Sequence, residues 1–131
     1  HEILSRVTTT ADIEKAVSHA CATGLMPLTG RDTAVARLHA MLSAERVKAW
    51  FDGTTAVMTE ATIILPTGAA RRPDRVMISG DRVTVVDYKF GEPSPRHKQQ
   101  AADYRELLRQ MGFPEVKSWL WYVEKDLIEE A

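Results

Sequence analysis

The chain predicts an α/β fold, a small central mixed β-sheet of about four strands flanked by α-helices. Two observations carry that expectation. Apolar residues recur at helical spacing through the first half, while the second half holds β-branched runs of period two interrupted by one well-capped helix. With 131 residues, 44% of them hydrophobic, the chain is long enough for one compact domain over 1–131 and too short for two ordinary ones.

Taken in order, residues 1–7 read as the end of a helix, broken by the β-branched Thr8-Thr9-Thr10. A second helix runs over about 12–22, ended by Gly24 and Pro27. A third starts near Arg31 or Asp32, with Val35, Leu38, Met41 and Leu42 at helical spacing. A short helix over 45–51 follows and stops at Asp52-Gly53. Residues 56–65, rich in Val, Thr and Ile, form a strand closed by Pro66-Thr67-Gly68. A hairpin of about 71–78 and 82–90 comes next and occupies the sheet centre. Ser94 caps the next helix, Pro95 takes its first position, and Gly112 with Pro114 stops it after about Met111. Residues 116–123, dense in Trp and Tyr, make the last strand, and the charged tail 124–131 carries no pattern.

Gross properties exclude several classes. No apolar run approaches the roughly 18 residues that a membrane span needs, and no signal-peptide pattern is present, so a cytoplasmic location without membrane contact is expected. The chain opens at His1 inside a helical pattern, as expected of a piece of a longer polypeptide. Its single cysteine, Cys21, rules out an internal disulfide and any four-cysteine zinc or iron–sulfur site within these residues. Small apolar neighbours make Cys21 a buried core residue. There is no glycine-rich phosphate loop, hence no ATP site in this fragment. A net charge of −1 carries no global sign of a nucleic-acid binder. The distribution says more: Arg71, Arg72 and Arg75 flank Asp74, and Arg96, His97 and Lys98 open the helix that follows Lys89. Such runs are usually solvated patches, yet their placement on both sides of one acidic pair favours phosphate binding.

That acidic pair is the most informative feature. Gly80-Asp81 has the form of a two-residue hairpin turn, Gly suiting the first position of type II′. With those two as the loop, Ser79 faces Arg82, Val76 faces Val85, and Asp74 faces Asp87. Alternation then puts Asp74, Val76 and Ile78 on one face with Val83, Val85, Asp87 and Lys89. Like charges directly opposite destabilise a sheet, and burial raises the cost. A divalent cation between the two carboxylates offsets it. Val83, Val85 and Val86 mark the second strand as buried, where a lysine needs a partner or a purpose.

Further candidates surround this pair. Glu60 interrupts an apolar strand and serves either as a third acid near the metal or as partner to an arginine such as Arg75. Tyr104, Leu107, Leu108 and Met111 make a helical stripe that extends back through Gln100 to His97 or Arg96. Gln100 and Tyr104 either orient the lysine, a water or a phosphate, or simply pack. His1 shares a helix face with Leu4 and by residue type alone is an ordinary frayed end. His19, His39 and His97 have no partners at zinc-site spacing.

The ordered set His1-Glu-Ile-Leu, Glu60, Arg72-Pro-Asp74-Arg-Val, Val86-Asp87-Tyr88-Lys89-Phe-Gly91 and Gln100-x-x-x-Tyr104 resembles the RecB/AddA-type nuclease domain. That domain belongs to the PD-(D/E)-x-K superfamily and lies at the C-terminus of bacterial helicase–nucleases. The resemblance implies a restriction-endonuclease-like core and Mg²⁺ or Mn²⁺ held by His1, Asp74, Asp87 and the Tyr88 main-chain carbonyl. It implies Lys89 beside the attacking water, with Gln100 and Tyr104 shaping the site. The activity implied is exonucleolytic hydrolysis of DNA, mainly single-stranded, in double-strand-break repair; the basic runs beside the acidic pair make Arg72, Arg75, Arg96 and Lys98 the expected DNA contacts. Implied partners are a helicase domain in the same longer chain and a second helicase–nuclease subunit. Two departures stand out: the helical region before the strands is short, and the four cysteines of the iron–sulfur relatives are missing, so no iron–sulfur cluster is expected. The rival readings are a nuclease-like module that binds DNA or a partner without cutting, and an endonuclease acting alone.

Overall fold

A computed structural model describes residues 2–59, 62–64, 68 and 70–131. The chain divides into two compact units, His1–Thr55 and Ala56–Ala131.

The first unit is helical: α1 (Glu2–Ser5), α2 (Ile13–Ala22) and α3 (Arg31–Leu42), with short 3₁₀ turns at Thr10–Asp12, Leu28–Gly30 and Lys48–Trp50. Asp12 explains where α2 begins. Its Oδ2 accepts the Thr8 and Thr9 N–H groups at 3.0 and 3.1 Å, satisfying donors just ahead of the helix. The buried stripe of α2 is Ile13, Ala16, Val17 and Ala20, at helical spacing. Leu4, Val7, Leu42, Val47 and Phe51 are buried as well. Cys21 departs from expectation: it is a free thiol, half-buried rather than in the core, with Sγ 3.9 Å from the Pro27 carbonyl. The expected helix over 45–51 contracts to the Lys48–Trp50 turn.

The second unit is a mixed sheet with a helix on it. Its strands are β1 (Ala56–Thr59), β2 (Ile63–Ile64), β3 (Ala70–Arg71), β4 (Arg75–Ser79) and β5 (Arg82–Lys89). After β5 come α4 (Pro95–Gln110), β6 (Glu115–Tyr122) and β7 (Leu127–Glu130). The main sheet has five strands in the order β1-β4-β5-β6-β7, one more than expected, and β2 with β3 forms a separate ribbon. The strand expected over 56–65 therefore divides between β1 and β2, and 65–67 fall outside the described residues. Strand β7 arises in the patternless tail, reached through Asp126 at φ 50°. It is a short edge strand carrying Glu129 and Glu130, the charged composition that blunts an edge.

All contacts in the main sheet are antiparallel except β5 with β6. A parallel neighbour requires a crossover, which α4 supplies. Ser94 accepts the Arg96 N–H at 3.3 Å and Pro95 holds the first helical position, so the expected start of α4 is met. Ala101, Tyr104 and Leu108 are its buried residues. Tyr104 and Leu108 pack with Val76, Val83, Val85 and Val116, while Ala101 packs with Leu120 and Tyr122. Met111 leaves the expected stripe: the helix ends at Gln110, and Met111 is 63% exposed. No described helix is long and apolar enough to cross a membrane.

The β4–β5 hairpin has the expected register, with Ser79 opposite Arg82, Ile78 opposite Val83 and Val76 opposite Val85. Gly80 sits at φ +62° and Asp81 is not left-handed, as type II′ requires. Open space surrounds the Gly80 Cβ position, so only backbone strain resists a side chain there. Gly80→Ala should cost about 1–2 kcal/mol, read as a lower urea midpoint at unchanged m-value.

Candidate functional site

The regular ladder between β4 and β5 stops at Arg75 opposite Val86, and two aspartates take over where it ends. Asp74 donates its N–H to Asp87 Oδ1 at 3.0 Å, and Tyr88 donates its N–H to Asp74 Oδ2 at 2.9 Å. The reason is local. At this register Pro73 would face Tyr88, and proline has no N–H for a ladder bond. Side-chain oxygens of Asp74 and Asp87 hold the strand ends instead, so the two carboxylates are drawn together across the ribbon. The N–H and C=O of one strand residue point to the same edge, so the Tyr88 carbonyl is directed to the Asp74 side.

Asp87 is 4% exposed and Asp74 half-buried. Burial is the main force pushing the Asp87 pKa up to about 6. The Asp74 charge and a hydrogen bond between the two carboxyls add to the rise, while the Asp74 N–H and Lys89 oppose it. Lys89, two residues on and facing the same way, places Nζ 3.8 Å from Asp87 Oδ2. Gln100 on α4 accepts from the same Nζ at 3.0 Å. Gln100 thus meets the lysine as one of its expected alternatives, rather than packing as an idle amide. Tyr104, one turn further along α4, is buried, and its hydroxyl proton is held by burial and by the Asp87 and Asp74 charges, against Arg71. Asp74, Asp87, Lys89, Gln100 and Tyr104 therefore converge on one face of the sheet.

Other expected residues fall elsewhere. Arg75 is fully buried, so its guanidinium does not present itself to a nucleic-acid backbone, a correction to its place among the DNA contacts. It pairs with Val86 and acts electrostatically on Tyr88, on the face opposite the carboxylates. Tyr88 itself packs edge-on against Trp121, ring centroids 5.9 Å apart. Arg72, Arg96 and Lys98 are exposed. His1 and Glu60 lie outside the described residues.

Sequence reasoning placed His97 in a basic run beside the site but missed its partner, Tyr122. His97 Nδ1 lies 3.1 Å from the Tyr122 hydroxyl, and Tyr122 is the register partner of Lys89. His97 had a signal, standing three residues before Gln100 on the same helix. Tyr122 had none, because pairing between parallel strands joined by a helix leaves no local trace.

Among the described residues no group of three or more His, Cys, Asp or Glu gathers around a metal-sized space. Two carboxylates nonetheless suit Mg²⁺, which is ordinarily held by one or two acids with waters and substrate phosphate completing its octahedron. The cost of two carboxylates meeting in a buried ribbon, visible in the raised Asp87 pKa, is what a hard cation would remove. Asp74, Asp87 and the Tyr88 carbonyl are the groups placed to hold it.

Fold and site together define a class: an α/β protein with paired carboxylates and a lysine at the open end of its central hairpin. Comparison narrows this no further, since no protein-family model and no curated protein matches the chain.

Proposed function

We propose that this chain is a metal-dependent nuclease domain of the RecB/AddA type, hydrolysing DNA phosphodiester bonds, mainly in single strands. The observation that carries the reading is the juxtaposition of Asp74, Asp87 and Lys89, with Lys89 3.8 Å from Asp87 and steadied by Gln100. The ordered resemblance of the motifs adds support. A Mg²⁺ or Mn²⁺ ion bound there supplies a Lewis acid that polarises the phosphoryl oxygen and acidifies a water.

The chain's own residues do the rest. Asp74 and Asp87 fix the position of the charge, each pinned by a main-chain N–H. Lys89 places a positive charge where anionic oxygen develops. Gln100 accepts from that ammonium and limits its rotamers. Exposed Arg72, Arg96 and Lys98 offer counter-charge to a polyanion. A helicase domain upstream, a second helicase–nuclease subunit and a cytoplasmic setting in break repair complete the proposal.

The test is cleavage of an end-labelled single strand with and without Mg²⁺, alongside calorimetric titration of Mn²⁺. Metal-dependent cleavage, lost in Asp87→Asn, supports the proposal. Absence of both metal binding and cleavage would favour a silent DNA- or partner-binding module. Gln100→Ala should lower cleavage roughly tenfold by loosening Lys89. Its unfolding free energy should change by about 1 kcal/mol or less, since the side chain is half-buried.

A further inference from the structure

The helical unit carries a cleft to which no role has been assigned so far. It is about 260 Å³ in volume and is lined by Arg6, Asp12, Lys15, Ala16 and His19. One water requires only roughly 10–15 Å³, so a tetrahedral oxyanion fits here with room for waters.

Local structure explains the cleft. Asp12, at the start of α2, is followed by Lys15, Ala16 and His19 at helical spacing, which brings all four to one face. Ala16 is 4% exposed, and its single methyl leaves a hollow between longer side chains. Arg6 follows α1, where its N–H bonds the Ile3 carbonyl at 3.1 Å. Asp12 Oδ2 then ties the Thr8 and Thr9 N–H groups to the start of α2, so both walls are fixed by main-chain bonds.

The charge balance selects an anion. Arg6 and Lys15 outnumber Asp12, whose Oδ2 already accepts from Thr8 and Thr9. Lys15 is the third residue of α2, at the positive end of the helix dipole, where a cation is disfavoured. Glu14 answers the dipole but, one position along, does not face Lys15. Among the described residues Lys15 forms no ion pair that would offset its position. An anion in the cleft does. Arginine offers a planar fork, lysine a point charge, and His19 a ring N–H in either tautomer.

We infer that this cleft is a phosphate-binding site for the nucleic-acid strand, with Arg6, Lys15 and His19 donating to one backbone phosphate. The strand as occupant rests on the nuclease reading, whereas the preference for a phosphate oxyanion rests on the cleft alone.

Anisotropy of a fluorescent oligothymidylate, measured on the whole chain in Ca²⁺ under conditions checked to be free of cleavage, tests it. Lys15→Gln should weaken binding roughly fivefold at low salt, and Lys15→Arg should restore it. The slope of log affinity against log salt should be shallower by about 0.7 in Lys15→Gln, the value of one lost phosphate contact to a single strand. Thermal melts of the three proteins should coincide. The His19 imidazole signals should move in NMR spectra when the strand is added. Native affinity and slope in Lys15→Gln, or His19 signals that the strand leaves in place, overturns the inference while leaving the nuclease reading intact. Signals moved by inorganic phosphate but not by the strand would mark a small-anion site and overturn it too. Strand binding at the cleft without Mg²⁺-dependent cleavage upholds the inference and sinks the nuclease reading.

Discussion

Asp87→Asn is expected to abolish metal-dependent cleavage, by about a thousandfold or more, while making the metal-free protein more stable at pH 8. The amide keeps an oxygen for the Asp74 N–H and offers a donor to the Asp74 carboxylate, but removes the buried charge. The pH dependence follows from linkage. Asp87 titrates near 6 in the fold against 3.8 for an ordinary Asp, so between those values the native state holds more protons than the unfolded one. Native stability therefore declines as pH rises from about 4 through 6, and the Asn variant is free of that decline. Thermal melts of both proteins at pH 4 and pH 8 check it: the gap should be wide at pH 8 and close at pH 4. Mn²⁺ should close most of that gap at pH 8, adding about 2.7 kcal/mol to the native protein at a hundredfold its dissociation constant. It should add nothing to Asp87→Asn. An Asp87 carboxylate that contributed favourably to folding would give the opposite gap.

Lys89→Ala separates binding from chemistry. Cleavage should fall by about 10²–10³, the usual cost of deleting one preorganised charge-stabilising donor. Mn²⁺ binding should persist, and even tighten, because the positive charge 3.8 Å from Asp87 Oδ2 opposes a cation there. The fold should survive, since Lys89 is at the end of β5 with its side chain still 21% exposed. Calorimetry and a cleavage assay on one preparation provide the check. Loss of metal affinity together with activity would make Lys89 a structural prop of the hairpin instead.

Much of the site was legible because its information is local. A two-residue turn with Gly at its first position determines register, and register determines which side chains face each other. Asp74 opposite Asp87 follows by counting, as does Lys89 on the same face; the ladder has the counted register as far as Arg75 opposite Val86, and the Asp74 N–H meets Asp87 just beyond it. Ser94 and Pro95 likewise located the start of α4. Arg75 went the other way. An arginine beside two others reads as surface charge, and only the sheet shows that alternation turns it to the buried face while Arg72 remains exposed. Strand β7 was illegible for a related reason: an acidic edge strand resembles a solvated tail until β6 offers it a partner.

By itself, then, the sequence determined an α/β layering with a central hairpin, its turn, and the pairing of two acids with a lysine across it. These depend on backbone conformation within a few residues and on the period of the strand. Tertiary structure alone decided that Gln100 meets Lys89, that Tyr122 stands beside it, and that His97 meets the Tyr122 hydroxyl. Those contacts join residues 11 to 33 positions apart through a helical crossover, and no periodicity in the chain encodes how a helix docks on a sheet.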